Sequence, residues 1–175
     1  MRRHRFQRTP HRVVIVGAMG LGLLCLALAS TPNRSVLVWN ASASMPRGLY
    51  IAQPAGGAEV GDIVTAWLPE AARTLAAERR YLPTNVPVIK SVRAVAGTTV
   101  CASDAGVSID GKLVATRRAS DGIGRVLPAW SGCQTLADGQ VFLLAETSSD
   151  SFDGRYFGPI SVTQIIAKVR PLWTY

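Results

Sequence analysis

The chain alternates between apolar and polar positions in short bursts, each closed by turn residues. "VLVW", "GLYIA", "GDIVTAWL", "VPVIKSVRAV", "GVSID", "KLVAT", "QVFLLA" and "QIIAKVRPLW" are β-branched or alternating runs of strand length. Between them lie "PAGGAEVGD", "SDAG", "IDGK", "SDGIGR" and "LADGQ", all rich in the residues that turns require. "IDGK" sits between "GVS" and "LVAT" and predicts a tight hairpin. One stretch breaks the pattern. "PEAARTLAAERRYL", Pro69 to Leu82, is made of good helix formers behind a proline and predicts a single inserted helix. These elements predict a mostly β, antiparallel domain over residues 36–175.

A different pattern precedes it. "VVIVGAMGLGLLCLALA", Val13–Ala29, is seventeen residues without a charge. As a helix it would span roughly 26 Å, slightly less than a hydrocarbon core of about 30 Å. It is short for an anchor and long for the apolar core of a signal peptide. "ALA-S", Ala27 to Ser30, also fits a small-x-small cleavage site, so an uncleaved anchor and a removed signal both stay open. In either case the chain beyond Ser30 is exported, and "STPNRS" marks the break from helix.

Charge sharpens this. The 175 residues carry a net +8, and Arg2, Arg3, Arg5, Arg8 and Arg12 supply five of those charges ahead of the apolar run. Residues 1–12 therefore form a basic tail expected on the cytoplasmic side, with the folded part outside the inner membrane. The remaining cations are scattered and few aromatics lie among them, so no nucleic-acid partner is expected. Cys25 lies within the apolar run, leaving Cys101 and Cys133 as the thiols of the exported part. A pair in an oxidising compartment predicts a disulfide. No histidine lies nearby to complete a zinc shell, and neither a metal nor any other cofactor is expected.

The two histidines, His4 and His11, are both in the tail. Ser-His-Asp and Cys-His catalysis are thus excluded from the exported part, and a serine nucleophile there would need a lysine, a carboxylate or an α-amine as its base. Arginine cannot serve. The lysines are Lys90, Lys112 and Lys168. Lys112 falls in the "IDGK" turn and Lys168 near the C-terminus, whereas Lys90 is flanked by Val and Ile in a strand. Desolvation there could lower its pKa by the roughly 3 units that a base near neutrality needs. The same spacing also fits a strand lysine whose stem is buried and whose ammonium reaches water. Ser44, in "SASMP", stands on a rigid approach to a strand, with Ser42 two residues before it; alone, that string is an ordinary polar turn.

Together these pieces are more specific. "SASMP", "GDIV", "VIKSVRAVAG" and "SFDGRYFGP" occur in an order and spacing that resemble the type I signal peptidases, the Ser-Lys serine proteases of the membrane. "SMPRGLY", "VPVIKSVRAVAG" and "GRVLPAWSGC" make the resemblance closest to the TraF-type signal peptidases of conjugative transfer. It extends over residues 13–172 and implies a signal-peptidase-like antiparallel β-barrel or sheet behind an N-terminal transmembrane helix. It further implies Ser44 as nucleophile, Lys90 as general base and Ser42 as an oxyanion donor. Ser151 would orient the lysine, with Asp153 and Arg155 as a charged pair behind it. "AET" at Ala145–Thr147 and "AGT" at Ala96–Thr98 depart from the general leader peptidases and favour the specialised branch. The implied partners are a pilin precursor or other exported protein, the inner membrane and the conjugative (type IV secretion) machinery. A general leader peptidase and a non-catalytic scaffold of a conjugation pore are the alternatives.

Overall fold

The structure, a computed structural model, describes residues 15–20, 22 and 36–175. The chain divides after Arg34. In the N-terminal unit, residues 15–20 and 22 are helical, and the rest of the predicted Val13–Ala29 segment and the basic tail lie outside the described residues. Among the described residues no helix is long and apolar enough to cross a membrane.

The C-terminal unit is built from antiparallel strands. In chain order they are β1 (Val36–Asn40), β2 (Gly48–Pro54), β3 (Ile63–Ala66), β4 (Val88–Ala94), β5 (Thr99–Ser103), β6 (Gly106–Ile109), β7 (Lys112–Ala115), β8 (Gly132–Thr135), β9 (Gln140–Leu144), β10 (Ile160–Ser161) and β11 (Ile165–Thr174). Two α-helices interrupt them, α1 (Glu70–Glu78) and the single turn α2 (Gly154–Phe157), and a 3-10 turn (Val162–Gln164) precedes β11. One sheet has the order β1-β2-β11-β3-β4-β9-β10 and the other β7-β6-β5-β8.

Each predicted run holds a strand: β3, β4, β6, β7 and β9 are shorter than their runs, β1 and β2 extend past the end of theirs, and β11 is shifted by one residue. β5, β8 and β10 were not predicted. β8 is exposed along its whole length and β10 has two residues, so neither carries an apolar alternation. The predicted helix is shorter than Pro69–Leu82. Arg80 takes a left-handed φ of 59°, and the N–H groups of Tyr81 and Leu82 both turn back to the Ala76 carbonyl, which closes the last turn. The "IDGK" hairpin forms, with Asp110 and Gly111 at φ values of 47° and 80°, as a tight primed turn demands.

The two sheets share a core. Ala94 of β4 and Phe142 and Leu144 of β9 pack with Val100, Ala102 and Val107 of the small sheet. Cys101 and Cys133 stand directly opposite each other on β5 and β8 and are joined by a disulfide. β4 is covered on both faces, since consecutive residues Ile89 and Lys90 are both buried, as are Val92 and Ala94. That double coverage puts a lysine out of reach of water.

Candidate active site

The turn from β1 into β2 carries Ser42 and Ser44, and Met45 and Tyr50 pin it to the core. The Tyr50 hydroxyl donates to the Pro46 carbonyl at 2.7 Å. Ser42 is exposed and Ser44 half-buried. Their hydroxyl oxygens are 3.0 Å apart.

Lys90 comes from β4, opposite Val64 of β3. Only 2% of its surface is exposed, so the ammonium does not reach bulk water. Its Nζ donates to the Ser151 hydroxyl at 2.7 Å, deep in the protein. Burial pulls the Lys90 pKa from its usual 10.5 down to about 8; the Asp153 carboxylate opposes that shift and the Arg155 guanidinium adds to it.

Behind Lys90, Asp153 and Arg155 form a buried, two-point ion pair. Arg155 Nε and Nη2 donate to the two carboxylate oxygens at 2.9 and 2.8 Å. Asp153 also accepts the Ala145 and Arg155 backbone N–H groups, capping α2. Arg155 Nη2 further donates to the carbonyls of Ala145 and Ser148. A buried pair of this kind is tolerated because nearly every donor and acceptor is used. It ties the end of β9 to α2 and so fixes the loop that carries Ser151. Gly154 is required for the same closure, because a Cβ there would lie 2.7 Å from the Leu143 carbonyl oxygen and 2.8 Å from the Phe142 ring.

Ser42, Ser44, Lys90 and Ser151 all line one cavity of about 740 Å³. The sequence-predicted residues are therefore brought together, with one difference from the expected pairing. Among the described residues, Ser44 bonds to Ser42 and Lys90 bonds to Ser151, and no hydrogen bond joins Ser44 to Lys90. The other lysines are elsewhere. Lys112 is exposed, and Lys168 is paired with Asp62 at 2.7 Å, which holds its pKa up.

Two features of the site had no place in the sequence reading. Asn40, at the end of β1, is buried and organises the serine turn through its side chain. An asparagine just before a turn is the one signal that could have pointed to it. The second is the cavity's apolar end, where Leu68, Ala76, Tyr81, Phe152 and Tyr156 line the wall. Polar links join other residues of its lining. Tyr81 donates to Asp121, which Arg125 also holds, and Arg118 pairs with Asp150 at 2.7 Å.

Residues 8–173 match the family model of signal peptidase, peptidase S26. The chain belongs to that family. Within it the TraF proteins of conjugal transfer are its relatives. It is 35% identical to a plasmid transfer protein TraF of Escherichia coli, over 98% of this chain and 99% of that one. A second TraF of Escherichia coli is 32% identical over 93% and 96% of the two chains. The conjugal transfer protein TraF of Agrobacterium tumefaciens (strain 15955) is 31% identical over 94% and 98%. Among solved structures, a signal peptidase I of Enterococcus faecalis V583 aligns at 17% identity with a TM-score of 0.39, covering 65% of this chain and 97% of that one. The chain is thus a peptidase S26 member, and its antiparallel β domain holds Ser44 and Lys90.

Proposed function

We propose that this member of the peptidase S26 family is a serine endopeptidase in which Ser44 is the nucleophile and Lys90 its general base. The observation that carries the reading is Lys90 itself, a fully buried amine drawn down to about 8 that lines the same cavity as Ser44. At pH 7 roughly a tenth of such an amine is neutral, about 300-fold more than for free lysine. Ser151 orients it, and Asp153 with Arg155 holds Ser151 in place. The bond from Ser44 to Ser42 fits catalytic contacts that tighten only around substrate.

In the reaction, neutral Lys90 takes the Ser44 hydroxyl proton as Ser44 Oγ bonds to the scissile carbonyl carbon. Ser42 and the Ser44 backbone N–H receive the negative charge on the carbonyl oxygen, and such a donor lowers the barrier by about 3–4 kcal/mol. The C–N bond then breaks, and the Lys90 ammonium returns its proton to the leaving nitrogen. An acyl ester remains on Ser44. Attack by water, or by an amine, breaks that ester and restores the hydroxyl.

The substrate we infer is an exported precursor, foremost a conjugative pilin subunit, because the relatives that match end to end are named for plasmid and conjugal transfer. Resolution by the pilin's own amino terminus would give a cyclic product. The catalytic domain, residues 36–175, is assigned to the periplasmic face of the inner membrane, with residues 13–29 as anchor and 1–12 cytoplasmic. An exposed aromatic patch supports that placement. Trp39 and Trp173, whose strands both flank β2 at Leu49, stack with centroids 6.3 Å apart, and Leu172 and Tyr175 are exposed beside them.

The test is mass spectrometry of the candidate pilin from cells carrying wild-type protein or Ser44→Ala. The reading requires that the processed mass, linear or cyclic, disappear with Ser44→Ala while the variant protein still accumulates. Unchanged processing would favour a non-catalytic role, and processing of many exported proteins would favour a general leader peptidase.

A further inference from the structure

The hydrogen-bond pattern around Ser42 has a direction. Asn40, 5% exposed, donates from Nδ2 to the carbonyls of Ser42, Met45 and Pro46 at 3.2, 3.0 and 3.0 Å. Its Oδ1 accepts the Ser42 backbone N–H at 3.1 Å and the Ser42 hydroxyl at 2.9 Å. Three carbonyls at one end and an N–H at the other fix which end of the amide is nitrogen. An amide oxygen has no hydrogen to give, so the single hydroxyl hydrogen of Ser42 is committed to Asn40. In the 3.0 Å contact between the two serines, Ser44 must then be the donor. The chain of donation runs from Ser44 to Ser42 to Asn40, and the nucleophile's proton points away from the base.

We propose that Asn40 is a positioning residue that latches the nucleophile and couples its release to recognition of the substrate carbonyl. The proposal rests on the assignment of Ser44 as nucleophile and Ser42 as oxyanion donor. Ser42 cannot give its one hydrogen to Asn40 and to the oxyanion at once. When a scissile carbonyl enters, the Ser42 hydroxyl turns from Asn40 Oδ1 to the carbonyl oxygen. The lone pair that had accepted the Ser44 proton turns with it, and the Ser44 hydrogen is free for Lys90 Nζ. The Nδ2 half of Asn40 stays on Met45 and Pro46 throughout and keeps the turn in shape. Until the carbonyl enters, the serine's proton is parked away from the base.

The experiment is a double-mutant cycle on the full-length, membrane-embedded protein with a precursor-derived peptide. It compares wild type, Asn40→Ala, Ser42→Ala and the double variant, with Ser44→Ala as control and near-UV circular dichroism to confirm folding. Asn40→Ala removes the Oδ1 that holds the Ser42 hydrogen. It is therefore expected to raise kcat by about fivefold or more with KM changed less than about twofold, since the latch acts on the nucleophile and not on substrate binding. In the Ser42→Ala background the same change should alter kcat by less than about twofold, because the latch it serves is already gone. Equal factors in the two backgrounds, or a wild-type or lowered kcat in folded Asn40→Ala, overturn the latch. If Asn40→Ala does not fold, Asn40→Asp goes through the same cycle. Its carboxylate accepts from Ser42 more tightly than the amide does, so it should lower kcat, and by at least about fivefold more when Ser42 is present. Turnover that survives Ser44→Ala overturns the underlying assignment of the nucleophile instead, and so the two failures are told apart.

Discussion

Replacing Lys90 with Met keeps most of the side chain's length and volume and deletes its charge. The depression of Lys90 from 10.5 to about 8 measures what the fold gives up by burying that charge. At about 1.4 kcal/mol per unit, this is roughly 3 kcal/mol at neutral pH, and with 2% exposure no discount for solvent screening applies. Against it stands the lost bond to Ser151, whose buried hydroxyl would be left without its partner at a cost of about 1–2 kcal/mol. Lys90→Met should therefore be about 1–2 kcal/mol more stable than wild type at pH 7. The sign of the pH dependence follows from the same shift. Below about pH 8 both folded and unfolded chains hold the proton and the full cost is present. Between about 8 and the unfolded value near 10.4 the unfolded chain binds more protons, so wild-type stability rises with pH and the variant's advantage shrinks. Urea unfolding followed by tryptophan fluorescence at pH 7 and at pH 9.5, with the disulfide intact, measures both. A Lys90→Met protein that is less stable at pH 7, by a margin that does not change with pH, would refute the claim that Lys90 is a destabilising buried charge.

The remaining predictions concern the supports of the site and the ends of the chain. Asp153→Asn leaves the Arg155 guanidinium buried without its carboxylate and should lower stability by about 3–5 kcal/mol in urea titrations; a loss under about 1 kcal/mol would show the pair to be dispensable. Replacing both Cys101 and Cys133 with Ala opens a bridge spanning 32 residues and should lower stability by about 3–4 kcal/mol, while the folded variant keeps its turnover because neither cysteine lines the cavity. Lys112→Arg and Lys168→Arg should both turn over like wild type, as each retains its charge away from the cavity, and peptide-cleavage rates check this directly. N-terminal sequencing of the mature protein should find residues 13–29 retained; a sequence beginning at Ser30 would mean that "ALA-S" is cleaved.

Where the sequence was legible, burial had left a pattern. β2, β4 and β9 face the core and show as apolar or alternating runs, and Lys90 stood out because a cation interrupts such a run. β8 was invisible for the converse reason, since its four residues are exposed and it is held by pairing to β5 and by the disulfide. The helix was readable from propensity, but its end was set by the left-handed Arg80 and the turn after it, which composition does not encode. The direction of the Ser44–Ser42–Asn40 chain could not be read from residue types at all. It depends on which oxygen already holds which hydrogen, and only the folded turn brings those atoms within 3.0 Å. The Lys90–Ser151 bond likewise joins positions 61 residues apart.

The central claim, that Lys90 is the base for Ser44, is tested most directly by the turnover of Lys90→Met on the precursor peptide at pH 8. Because that variant is expected to be the more stable protein, lost activity in it cannot be assigned to unfolding. The account predicts turnover at least about a thousandfold below wild type, as low as that of Ser44→Ala. Turnover within about tenfold of wild type in the folded Lys90→Met protein would contradict it.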